Sequence, residues 1–176
     1  MQIATRGRLR YDRDGRLAAQ GKVSAALLSE LMRQPYLRRR PPKTTGRELF
    51  GVQVTTQLYE RARTAGLAPA DIVATLTAFT AASIADAYRR FLPGAVNEVI
   101  LCGGGARNPV LVRMLQERLP AARVRIMDEL GFNADAKEAV SFAILAWATA
   151  RGLPGNVCGA TGAKRAVVLG KIVPGR

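Results

Sequence analysis

Apolar positions recur at helical spacing over most of the chain. Ser24 reads as the cap of a helix over 25–33, with Leu27, Leu28, Leu31 and Met32 facing inward until Gln34-Pro35 ends it. Phe50, Val54, Leu58 and Ala62 recur every four residues, which predicts a helix to about Thr64. Thr45-Gly46-Arg47-Glu48 fits a capping box at its start, and Gly66 stops it. Pro69 opens a longer helix over 70–91, with Ile72, Val73, Leu76, Phe79, Ile84, Tyr88 and Phe91 as its apolar surface. The alanines and threonines between them predict close packing, and Pro93-Gly94 terminates the helix. Further helices are predicted over 109–119 and 135–151. Leu111, Val112, Leu115 and Leu119 are the buried residues of the first. Ala139, Phe142, Ala143, Ala146 and Trp147 form the inner side of the second, which Gly152 and Pro154 close.

The helical rhythm breaks at Val96–Asn108. Val99-Ile100-Leu101 is a short continuous apolar run, the pattern of a strand covered on both faces. Gly103, Gly104 and Gly105 follow, then Ala106, Arg107 and Asn108; Asn108 suits an N-cap and Pro109 the first helical position. Arg123–Met127 alternates as a second strand, with Val124 and Ile126 on one face. Strand, helix and strand make a βαβ unit, so the two strands should be parallel. A helix that opens beyond a strand's carboxyl end, behind glycines, is where open α/β sheets place nucleotides. A plain tight connection would use the same residues. The turn carries neither a Gly-Lys-Ser/Thr sequence nor the spaced dinucleotide fingerprint. The remainder reads as loops, around Asp12–Gly15, Arg38–Thr45 and Asp128–Ala134, with one further strand at Ala166–Leu169.

Composition narrows the chemistry. The 176 residues suit one domain of ordinary size. No run of consecutive apolar residues has the ~18 of a membrane span, and Met1–Arg10 lacks the apolar stretch of a secretory signal. There is no histidine, which removes Ser-His-Asp and Cys-His catalysis. The two cysteines are too few for a disulfide framework or a zinc site, and Cys102 reads as a small buried hydrophobe. Lysine plus arginine exceeds aspartate plus glutamate by 27 to 13, a net charge of +14. This permits attraction to nucleic acid, anionic lipid or a phosphorylated ligand. The basic residues are dispersed, however, with only Arg38-Arg39-Arg40 in a tight run and no aromatic–basic RNA-binding motif.

Seven short motifs occur in order: Tyr11-Asp12-Arg13-Asp14-Gly15, Ala19-Gln20-Gly21-Lys22-Val23, Pro41 through Glu48, Gly103 through Asn108, Asp135-Ala136-Lys137-Glu138-Ala139, Gly152 through Asn156, and Thr161-Gly162-Ala163. This series resembles the C-terminal half of the anhydro-N-acetylmuramic acid kinase family, over nearly all of the chain from Tyr11 onward. The resemblance implies an α/β chain with the C-terminal domain of the actin-like (ribonuclease H-like) fold, a mixed sheet packed by helices. It divides the chain into a remnant of the N-terminal half, 1–21, and a nucleotide-binding half, 22–176.

It also implies a reaction of bacterial peptidoglycan recycling in the cytoplasm. The 1,6-anhydro ring of N-acetylmuramic acid is opened with water and O6 is phosphorylated from ATP with Mg2+. Gly103, Gly104, Gly105, Ala106, Arg107 and Asn108 would take the ribose and adenine side of ATP or ADP. Glu138 would face the sugar, although Asp135-x-x-Glu138 also fits a helix-capping box. Lys43 and Thr45 would lie near the cleft. The family's water-activating aspartate belongs to a Gly-Phe-Asp-Thr-Gly segment expected just before the position of Tyr11. Met1–Arg10 holds no acidic residue there. The chain is therefore expected to be a fragment without its own catalytic aspartate or phosphate loop, with little or no activity alone. Homodimers are implied, and neither a membrane nor, despite the charge, nucleic acid is expected as a partner. The competing readings are a non-catalytic nucleotide-binding remnant and a basic nucleic-acid-binding domain.

Overall fold

The computed structural model describes residues 1–175. A 23-residue helix, α6 (Pro69–Phe91), is the spine on which the other elements pack. Pro69 occupies its first turn, and Asp71 Oδ2 accepts from the Ala68 amide at 3.2 Å, meeting one of the unpaired N–H groups of that terminus. Ile72 and Val73 are buried as expected, and the fully buried positions beyond them are small: Ala74, Ala78, Ala81 and Ala85, with Thr75. The larger residues expected on this face, Leu76, Phe79, Ile84 and Tyr88, are only half-buried beside them. Small residues let neighbours approach the helix backbone. Thus α1 (Arg16–Gln20), α2 (Ala25–Met32) and α7 (Pro109–Arg118) all pack against α6. By length and composition α6 could cross a membrane, yet its apolar side chains are the centre of this core.

The interrupted region forms the βαβ unit. Strand β1 (Glu98–Leu101), α7 and β2 (Arg123–Ile126) follow one another, and β1 pairs β2 in parallel with Val99 opposite Val124 and Leu101 opposite Ile126. Val99 joins Val110, Met114 and Leu115 of α7 in the core with Ala81 and Ala85. The sheet departs from expectation in two ways. Among the described residues it has two strands, both parallel, so it is not mixed. Only one face is covered: Val99 is buried, whereas Ile100 is 43% exposed and Cys102, expected to be buried, is exposed.

Other boundaries shift for local reasons. A short helix, α1, forms where the sequence pattern gives only a turn, because both oxygens of Asp12 accept from its first turn, from Leu17 N at 2.8 Å and Ala18 N at 2.9 Å. Its Ala18 lies in the same core as α6 and α7. Pro35 does not only end α2; it starts a single turn, α3 (Pro35–Arg38). The helix read as continuous from Thr45 is two, α4 (Arg47–Phe50) and α5 (Val52–Thr64), capped at Gly46 rather than Thr45. Glu48 Oε1 accepts from Gly46 N at 2.7 Å. The break falls at Gly51, where a Cβ would lie 2.0 Å from the Arg47 carbonyl oxygen, so no larger residue fits the bend.

The last long helix, α8 (Lys137–Ala150), is turned the opposite way from expectation. Ala139, Phe142, Ala143, Ala146 and Trp147 are exposed, and Ala148 is its buried residue. Its covered side meets the tail: Leu145 and Leu169 both crowd Gly155, and Thr149 Oγ1 bonds the Leu169 carbonyl. Residues 166–169 form no strand. Val167 donates to the Asn156 side chain at 2.7 Å, so the backbone ladder stops after Gly155 N to Val167 O. A single turn, α9 (Cys158–Thr161), lies beyond Asn156.

Candidate nucleotide site

The glycine turn leaves the carboxyl end of β1 through Gly103, at φ +73°. It coils through one 3-10 turn, Gly104–Arg107, before α7 starts. Asn108 Oδ1 then accepts from Val110 N at 3.0 Å and Leu111 N at 3.1 Å, capping α7 as expected. The Asn108 Nδ2 group makes no hydrogen bond among the described residues. A Cβ on Gly104 would meet nothing within 4 Å. The glycines therefore leave an open approach to the backbone, not a space filled by the fold. Alongside, an open groove of about 860 Å³ runs from Ala106 and Arg107 along α7 to Val124 and Ile126 of β2.

Two elements brace the turn. Gly15 packs its backbone directly on the cap: a Cβ there would sit 2.2 Å from Asn108 Oδ1 and 2.9 Å from Val110 Cγ2. On the other side, Gly103 N donates to the Ala134 carbonyl at 3.3 Å. Arg107 Nη2 donates to Asp128 at 3.2 Å and to Asp135 at 3.1 Å. The hydrogen bond to Asp135 and the charge of Asp128 together raise the Arg107 pKa further above its ordinary value. Asp128 Oδ2 is enclosed without a hydrogen-bond partner, so Arg107 is what balances this carboxylate.

Glu138 stands three residues beyond Asp135, in the first turn of α8, and is exposed. The capping box with Asp135 does not form. Asn133 Oδ1 accepts from Asp135 N at 2.8 Å and Ala136 N at 3.3 Å, while the Asp135 carboxylate turns to Arg107. Glu138 itself makes no hydrogen bond or ion pair among the described residues. Lys43 stands elsewhere. Its Nζ donates to the carbonyls of Tyr36 at 3.2 Å and Leu37 at 3.0 Å, between the rings of Tyr36 and Phe91 at 4.9 and 4.7 Å. Thr45 is exposed. No hydrogen bond or ion pair joins Lys43 or Thr45 to the glycine turn or to Glu138 among the described residues. The sequence reading missed Asp12, Gly15 and Asp128; only the Asp-x-x-Gly spacing of the first motif pointed toward two of them.

A profile of the anhydro-N-acetylmuramic acid kinase family matches residues 2–175. The chain belongs to this family. Curated proteins named anhydro-N-acetylmuramic acid kinase are similar over almost the whole chain. One from Acaryochloris marina is 45% identical over 168 residues, covering 96% of this chain and 44% of its own length. One from Gloeobacter violaceus is 49% identical over 164 residues, covering 93% of this chain and 43% of its own. One from Caldanaerobacter subterraneus is 45% identical over 170 residues, with 96% and 43% covered. The chain thus spans less than half the length of the family members it matches.

Proposed function

We propose that this chain is the nucleotide side of an anhydro-N-acetylmuramic acid kinase, with the C-terminal domain architecture of actin-like ATPases. The observation that carries the proposal is the Gly103–Asn108 turn at the joint of β1 and α7, with free space over Gly104. Adenine and ribose of ATP or ADP lie against this turn and the groove beside it. The free Nδ2 of Asn108 supplies a donor. Glu138, unpaired and tied through Asp135 and Arg107 to the same turn, faces the anhydro-sugar. Lys43 and Thr45 act on the sugar side only indirectly, Lys43 by fixing the loop after α3.

ATP supplies the phosphoryl group, and phosphoryl transfer needs positioning and charge stabilisation on both sides of that group. The residues here hold one side. Among the described residues no three His, Cys, Asp or Glu side chains gather as a metal cage, and Asp128 and Asp135 are engaged by Arg107. Mg2+ would be held chiefly by the nucleotide phosphates. The water-activating aspartate belongs to the remainder of the enzyme, so this polypeptide alone has little turnover. The complete enzyme acts in the cytoplasm as a homodimer.

Calorimetric titration of the full chain with ADP tests the reading. Saturable binding that Gly104→Val weakens at least tenfold, at an unchanged melting temperature, supports it; the open space at Gly104 makes that variant tolerable to the fold. Absence of binding, or equal binding by the variant, refutes it.

A further inference from the structure

Arg107 fastens the glycine turn to the helix that carries Glu138. Its Nη2 donates to Asp128 at 3.2 Å and to Asp135 at 3.1 Å, so one guanidinium nitrogen serves two carboxylates. The two ends of this bridge differ. Asp128 stands just beyond β2 with its Oδ2 enclosed, which makes it the anchored end. The Asp135 side chain is 63% exposed, and among the described residues its carboxylate has Arg107 as its partner. Asp135 is therefore the end free to move.

Packing does not fix the start of α8. Lys137, Glu138, Ala139 and Val140 are exposed, and the buried residue of this helix, Ala148, lies about three turns beyond Glu138. The loop before the helix sets its position instead. Ala134 is buried and its carbonyl accepts from Gly103 N, while Asn133 Oδ1 accepts from the amides of Asp135 and Ala136. From Asp135 onward the tie to the turn is the Arg107 ion pair. Arg107 is also the last residue of the 3-10 turn that follows Gly103. A ligand that shifts this turn thus pulls on Asp135, and with it on the first turn of α8. A planar guanidinium suits the task, because it holds its carboxylates in a defined geometry where an ammonium would be a point charge.

We infer that Arg107 is a positioning residue, which passes occupancy of the glycine turn to Glu138 through Asp135 and so couples the nucleotide and sugar sides of the site. The inference rests on the reading of the turn as the nucleotide site and of Glu138 as the residue facing the sugar. Coupling of this kind is reciprocal, so a sugar held by Glu138 in turn tightens the grip on nucleotide.

The test follows the amides of the isotope-labelled full chain by NMR, with ADP as the probe. In the parent, Gly103 to Gly105 and Lys137 to Ala139 should shift along one common saturation curve. Asp135→Asn changes an exposed side chain without a fold lesion. At saturating ADP it should keep the shifts of the turn and lose those of Lys137 to Ala139, with an affinity within about fivefold of the parent, since an exposed ion pair adds little by itself. Arg107→Gln should uncouple Glu138 in the same way. Hydrogen exchange without nucleotide supplies a second readout: the Ala136 and Val140 amides should exchange faster in both variants, while the Leu115 amide in the core stays unchanged. Equal responses of Lys137 to Ala139 in the parent and Asp135→Asn overturn the inference. So does exchange that is the same in all three proteins, or that rises equally at Leu115, the mark of a merely structural pair. A parent whose turn responds to ADP while Glu138 stays still refutes the coupling alone. A parent whose turn does not respond refutes the nucleotide reading and the coupling with it.

Discussion

Gly15 lies directly against Asn108, 93 positions later in the chain, and only a residue without a side chain fits between them. Its φ of +67° and the 2.2 Å separation of a hypothetical Cβ from Asn108 Oδ1 act together. The first motif of the chain is thereby a buttress for the fourth. Gly15→Ala should destabilise the fold by about 1–3 kcal/mol through strained backbone and displaced cap. Urea denaturation measures it. An unchanged midpoint would show that the cap yields freely.

Asn108 has two separable duties. Its Oδ1 caps α7, and its Nδ2 is offered to a ligand. Asn108→Ala should cost about 1 kcal/mol of stability and weaken ADP binding. Asn108→Asp keeps the acceptor and adds favourable charge at the helix N-terminus, so stability should hold while ADP affinity falls. Thermal melts and ADP titration of both variants check this. Equal ADP affinity of Asn108→Asp and the parent would remove Nδ2 from the site.

Thr75 is fully buried and polar, and its hydroxyl is satisfied twice. It accepts from Ser24 N at 2.9 Å and donates to the Asp71 carbonyl at 2.7 Å, fastening the start of α2 to α6. Thr75→Val keeps the volume but strands the Ser24 amide, at a cost of about 1–3 kcal/mol. Thr75→Ser, which keeps the hydroxyl, should lose less. A denaturation series ranks the three proteins.

Glu129 sets part of the acid response. Its carboxylate accepts from Ile126 N at 3.0 Å and pairs with Arg125 at 3.2 Å. The backbone hydrogen bond first, and Arg125 second, hold its pKa below the usual carboxylate value. A lowered folded-state pKa contributes stability above the unfolded-state pKa, and that contribution is lost as pH falls through the lower folded value. Stability measured downward from neutral pH through the carboxylate range should fall, and Glu129→Gln should flatten that slope. The same slope in both proteins would assign the acid response to other groups.

How much of this was legible depended on whether a feature is local. Ser24 and Asn108 cap their helices as read, because a cap is a contact within three residues. The parallel pairing of β1 and β2 follows from the short helix between them. The Gly51 break and the Gly46 cap escaped because the four-residue apolar rhythm runs on through the bend. Glu138 has the spacing of a capping partner for Asp135, but Arg107, distant in sequence, claims that carboxylate. The apolarity of Phe142 and Trp147 in α8 says that a face needs covering but not that this chain covers it. Cys102 and Ile100 fail for the same reason, since the strand pattern cannot count the layers around a sheet.

The most direct measurement is amide-resolved NMR of the full chain titrated with ADP. The amides of Gly103 through Asn108 should shift most, saturably and together, with smaller changes passing through Ala134 and Asp135 toward Glu138. Shifts centred on another surface, or none at saturating nucleotide, would contradict the account.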